Sequence, residues 1–142
     1  MDYRFNEGSL SLFPAEWQDA STQILRDTKG GLTIVISRAP LASGDTAAQA
    51  FRQQWEMLRP QMQVTAQSEF STVLVGPEGR LAATAVETAF SHNNQPLWQK
   101  QLALPVTDGK QMLVLTLSAA REFTAEDHQR WQEICTSLTL QG

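Results

Sequence analysis

Hydrophobic and polar residues alternate along much of this chain, with a period of two in most segments and a helical period in two others. LTIVISR, residues 32–38, shows the pattern most clearly. As a strand it sends Leu32, Ile34 and Ile36 to one side and Thr33, Val35 and Ser37 to the other. The first set requires a core. The second carries no charge and is neither wholly apolar nor wholly polar. ASTQILRD (20–27) reads as its hairpin partner, joined through the TKGG turn (28–31). YRFNEGSLSLF reads as an opening strand or hairpin with Gly8 at the turn, and Pro14 and Trp17 follow in a loop. Further strands are predicted at STVLVG (71–76), LAATAVETAF (81–90), LWQKQLALPV (97–106) and KQMLVLTLS (110–118). They are separated by PEG, by SHNNQ and by the turn signal Asp108-Gly109.

The spacing predicts a first helix over GDTAAQAFRQQWEMLRPQM (44–62), in which Phe51, Trp55, Leu58 and Met62 form one apolar stripe. Asp45 can cap its first turn, and Pro60 distorts or ends its last. Gln54 and Gln61 lie beside the stripe. A second helix begins at TAED (124–127), with Thr124 as cap and Asp127 where a capping box places an acid. Phe123, His128, Trp131, Ile134, Cys135 and Leu138 form its buried stripe. Strands, helix, strands, helix, with short turns between strands, predict one α+β domain over 1–142: a mostly antiparallel sheet with flanking helices.

The uncharged side of LTIVISR has company. By the same alternation Thr22 and Ile24 share a face, as do Leu97, Gln99, Gln101 and Ala103. Together these positions form a face of Thr, Ile, Val, Ser, Leu and Gln. A helix of the same chain can cover such a face. Glutamine suits a sealed core poorly, since an unpaired buried amide costs ~1–3 kcal/mol. An apolar helix with occasional Ser, Thr or Gly fits the face well, because such groups mediate helix contacts in membranes. Gln both donates and accepts, so it serves a hydroxyl or a backbone carbonyl equally.

Composition narrows the function further. An apolar fraction of 42% supports a core, and a net charge of −4 with eleven scattered basic residues weighs against nucleic-acid binding. No apolar run approaches the ~20 residues that span a bilayer. The first residues have neither a basic nor a long apolar stretch, so a signal peptide is not expected. The single cysteine, Cys135, cannot form an intramolecular disulfide, and a cytoplasmic protein is expected. The chain has no HxxxH or CxxC spacing for a metal and no glycine-rich phosphate loop. His92 sits in a polar loop, and His128 reads as a partly buried packing residue. The acids Glu56, Glu69, Glu78, Glu87, Glu122, Glu126 and Asp127 are dispersed. No catalytic residues, metal or cofactor are expected, and a binding module is favoured over an enzyme. His128 with Glu87 is the pair an enzymatic reading would use.

YRFNEGSL, then WQDAS, then VISR, with the later QKQLAL and TAEDHQRWQEICTSL, resembles the Eag (effector-associated) chaperones of the bacterial type VI secretion system. YR, EGSL, WQD and ISR stand in the family's order and spacing, and the likeness runs over nearly the whole chain. It implies a Mog1/PsbP-like fold and a cytoplasmic homodimer without catalytic activity. It further implies that a concave sheet face holds N-terminal transmembrane helices of an effector, beside its PAAR domain, before secretion. The closest likeness is to members serving Rhs-repeat effectors. Position by position, the family's client-binding residues fall on Thr22, Ile24, Thr33, Ser37, Leu97 and Gln101, and near Gln54 and Met62 on the first helix, where Gln53 could take the place of Gln54. Val35 and Gln99 join them by alternation. Thr22 departs from the larger aliphatic the family pattern expects, which shifts the grip toward Ile24 and Val35. The alternative is a non-catalytic adaptor that binds a folded partner, since fold alone does not fix function.

Overall fold

The structure, a computed structural model, describes residues 2–16 and 20–140. The WQD stretch, residues 17–19, including the expected loop position of Trp17, lies outside the described residues. The domain is α+β and mostly antiparallel. A short hairpin of β1 (Asp2–Phe5) and β2 (Gly8–Ser11) opens the chain. The main sheet contains β3 (Gln23–Asp27), β4 (Leu32–Pro40), β5 (Gln63–Gln67), β6 (Ser71–Val75), β7 (Leu81–His92), β8 (Gln95–Val106) and β9 (Gln111–Ala119). Its order is β3-β4-β9-β8-β7-β5, and β6 continues along the same edge of β7 as β5. Every pairing in it is antiparallel.

Two helices lie on opposite faces. α1 (Ala47–Leu58) places Ala47, Phe51 and Trp55 against Val86, Ala103, Met112 and Val114. Fully burying one such large side chain contributes ~1.5–3 kcal/mol. Phe70 meets the edge of Phe51, with ring centroids 5.7 Å apart. α2 (Ala125–Ser137) packs Trp131, Ile134 and Cys135 against a layer that includes Leu102, Leu104, Leu113 and Leu115. Leu102, Ala103 and Leu104 are all buried, because both faces of β8 are covered at that point.

Local signals explain most boundaries. Thr124 and Asp127 form the expected capping box of α2. At α1 the cap is Thr46, not Asp45: Thr46 accepts from the Gln49 N–H at 3.1 Å, and Gln49 answers at the Thr46 N–H at 3.4 Å. The helix also stops earlier than its stripe implies. Pro60 lies in a 3-10 turn, Arg59–Gln61, so Met62 follows the helix and packs against the core that α1 covers. The 20–27 strand starts only at Gln23, which leaves Thr22 just ahead of it. β5, with the polar sequence QVTAQ, is an additional strand held by β7 through a bulge between Val64 and Ala66. His128 is exposed and not packed in, with its ring 6.2 Å from that of Phe123.

Candidate functional site

The register of the strands brings the uncharged positions together. Ile24 stands opposite Val35, Val35 opposite Thr116, Thr116 opposite Gln101, and Gln101 opposite Val86. The next row on the same face runs Arg26, Thr33, Ser118, Gln99, Thr88 and Gln67. Opposed residues on antiparallel strands share a face. Ile24, Thr33, Val35, Gln99 and Gln101 therefore lie on one side, the side that receives α1. Ser37 joins them opposite Val114, and Leu97 opposite Phe90.

α1 covers only part of this face. It sits over Ala103, Val114, Met112 and Val86. Where it meets the mixed rows, the contact is polar as well as apolar. The buried Trp55 donates its indole N–H to Gln101 Oε1 at 3.0 Å, and Gln101 Nε2 donates to Thr116 Oγ1 at 3.0 Å. The Gln101 amide is thus satisfied within the chain. Gln67 Nε2 likewise donates to Thr88 Oγ1 at 3.1 Å, and Gln67 Oε1 accepts from Arg59. Thr33, Val35, Ser37, Leu97 and Gln99 are half-buried, Ile24 is more than half exposed, and Gln54 is exposed on α1. Thr22 is exposed. Arg38, on the opposite face, ties down the start of β3 by donating to Gln23 Oε1 at 2.8 Å and to the Ser21 carbonyl at 3.1 Å.

The residues an enzymatic reading would use lie on the α2 side. Glu87, His128 and Cys135 line a groove of about 790 Å³ between α2 and the β6–β7 pair. Lys100, on this same face, is only 4% exposed; its ammonium pairs with Glu87 and lies 5.4 Å from the Phe123 ring. The Glu87 carboxylate is therefore engaged. Burial pushes the Cys135 thiol up to about 11, so it is protonated at neutral pH and a poor nucleophile. Among the described residues, no group of three or more His, Cys, Asp or Glu side chains could hold a metal ion.

Sequence alternation found the strand residues of this face but missed three that share it: Ser118, which is half-buried, and Thr116 and Thr88, which are buried and accept hydrogen bonds from Gln101 and Gln67. Ser118 and Thr116 sit on the apolar strand β9, where their period-two offset from Val114 marks them. Thr88 is marked the same way beside Val86. Their role depends on strand neighbours that only the sheet order supplies.

This arrangement is that of an open-faced antiparallel domain, with one helix seated on a mixed face that is uncharged apart from Arg26 on the edge strand, and with part of that face left uncovered. The chain belongs to the DcrB family, whose family model matches residues 7–137. Among solved structures it is similar to PA94 from Pseudomonas aeruginosa, a protein of unknown function suggested to be a regulator. That likeness covers 100% of this chain and 97% of PA94, at 20% identity and a TM-score of 0.69, and it concerns the fold. No curated protein matches the chain. Among the described residues no helix is long and apolar enough to cross a membrane.

Proposed function

We propose that this protein is a non-catalytic cytoplasmic chaperone that shields the N-terminal transmembrane helices of a type VI secretion effector before secretion. The client is an effector of the Rhs type with a PAAR domain, and the chaperone works as a homodimer. The observation that carries this reading is the way α1 meets its own sheet. An amphipathic helix sits on the mixed face through apolar side chains and one glutamine hydrogen bond, Trp55 to Gln101. Gln99 repeats Gln101 two residues along the same strand, ~7 Å away, on the part of the face α1 leaves open. Packed helices lie ~8–10 Å apart, so a client helix beside α1 falls over the row of Thr33, Ser118 and Gln99. Ile24, Val35 and Leu97 supply apolar contact there. The hydroxyls and the Gln99 amide supply donors and acceptors for Ser, Thr or exposed carbonyls of the client.

The test is co-expression with the N-terminal segment of an effector encoded beside this chain, with and without its apolar helices. Detergent-free co-purification that disappears with the helices is the expected result. Co-purification that survives their removal would sink the proposal and make the chain an adaptor for a folded surface.

A further inference from the structure

We infer that the free edge of β6 is a docking site for an extended segment of another polypeptide, taken up as an added strand. The segment has apolar alternate side chains and a lysine or arginine at its C-terminal end. β6 pairs with β7 on one side and with no described strand on the other. The phase of that edge is fixed at both ends. Ahead of β6, Glu87 turns its backbone groups to this side of β7: its carbonyl accepts from the Ser68 N–H, and its own N–H donates to Ser68 Oγ, both at 2.9 Å. Beyond β6, the Gly76 N–H points away from β7 and donates to the Cys135 carbonyl at 2.8 Å. Backbone groups alternate sides along an antiparallel pair. Ser71, Val73 and Val75 therefore bond to β7, while Thr72 and Leu74 each turn an N–H and a C=O outward. No described backbone group answers them.

Sheet edges are commonly blunted by charge, proline or a bulge. β3 carries Arg26 and Asp27, and β5 carries its bulge. β6 reads STVLV, with no charge and no proline, in unbroken register with β7. Its Leu74 is 70% exposed. Such an edge is a template for a strand. A groove of about 790 Å³ opens beside it, lined by Val73 and Val75 of β6 and by Trp131, Gln132 and Thr136 of α2. The Gly76–Cys135 bond closes one end, and Glu69, two residues ahead of β6, lines the other. With a strand edge beside a helix, an added peptide gains affinity from its main chain and specificity from alternate side chains. Val73 and Trp131 favour apolar side chains. Lys100 and Glu87 neutralise each other in the groove, whereas no described cation pairs with Glu69. Glu69 therefore favours a cation. In the antiparallel sense, which pairs slightly better, that cation falls at the C-terminal end of the segment. Docking here does not require the client face, which lies on the far side of β7.

The test adds a short amidated peptide of alternating valine and threonine, ending in lysine, to the full chain and follows amide exchange by NMR. Thr72 and Leu74 should exchange freely in the chain alone and slow about tenfold or more with excess peptide, while Val73 stays slow throughout. The same peptide with its backbone nitrogens methylated should protect neither. Glu69 is exposed, so Glu69→Lys should fold normally. That variant should bind the lysine peptide about tenfold more weakly, and a peptide ending in glutamate more tightly, as read by fluorescence anisotropy. Absence of protection at Thr72 and Leu74, equal protection by the methylated peptide, or affinity indifferent to Glu69→Lys would each overturn the site. Protection of both amides in the chain alone, growing with its concentration, would make a second copy the occupant and overturn it as well.

Discussion

Asp127, almost fully buried, closes the first turn of α2. Its carboxylate accepts from Arg121 Nη1 at 2.6 Å and from the Thr124 N–H at 2.8 Å, while Arg121 Nη2 reaches the Gly30 carbonyl at 2.7 Å. One side chain thus fixes a helix start, and its partner ties that start to the β3–β4 turn. The Arg121 hydrogen bond, with those from Thr124, holds the Asp127 pKa well below the usual carboxylate range. A depressed folded-state pKa contributes stability that is fully present above the unfolded value, ~4, and is lost as pH falls toward the folded one. Urea denaturation should therefore show a constant contribution from neutrality to about pH 5 and a decline below it. Asp127→Asn should start ~1–2 kcal/mol lower at neutral pH, the scale of a lost N-cap, and decline less in acid. A variant with the parent's acid profile would show that this carboxylate does not set it. Gln101 offers a second residue-scale test. Gln101→Leu strands the Trp55 indole N–H and should cost ~1–3 kcal/mol, whereas Gln99→Leu on the open rows should change stability by less than ~0.5 kcal/mol. Alternation put both glutamines on one face. It could not show that one of them is already engaged, because the partner that engages it lies 46 residues earlier.

At the scale of elements, the strands with a clear period of two were legible nearly to their ends, and so were the turns that punctuate them. Asn93 and Asn94, with φ of 52° and 66°, close the long β7–β8 hairpin in a two-residue turn. Both need the left-handed region, where asparagine is tolerated and glycine is better. Asn94→Gly should raise stability by up to ~1 kcal/mol, and Asn94→Val should lower it; thermal unfolding of the two variants checks both directions. β5 was not legible, since QVTAQ offers only Val64 and Ala66 to the apolar side of any pattern, and the bulge between them breaks the alternation. Pairing with β7 holds it, so the tertiary context overrides a weak local signal. The α1 boundary was legible in principle: Thr46-x-x-Gln49 is a capping box, and it competes successfully with the single cap that Asp45 could provide.

At the scale of the molecule, the period of each segment implies two covered faces, but not how much of each is covered. α2 packs on the apolar face formed by Leu102, Leu104, Leu113 and Leu115. α1 is twelve residues long, ~18 Å, and reaches only the rows around Ala103 and Val114. The uncovered remainder decides what the protein can hold, and that remainder depends on helix length and placement together. If an apolar helix occupies it, a new carboxylate there faces hydrocarbon without a partner, at a cost of several kcal/mol, while ~1.4 kcal/mol already changes affinity tenfold. Ile24→Asp and Gln99→Glu should each lower client retention at least tenfold in a competition pull-down. Ile24 is more than half exposed in the free chain, so Ile24→Asp should leave urea stability within ~1 kcal/mol. Gln99→Glu adds charge to a row that already contains Arg26 and should fold as well. Loss of client with the fold intact in both variants assigns the open rows to the client. Undiminished retention in both would mean that these rows are solvent-facing sheet surface and that the client, if any, is held elsewhere.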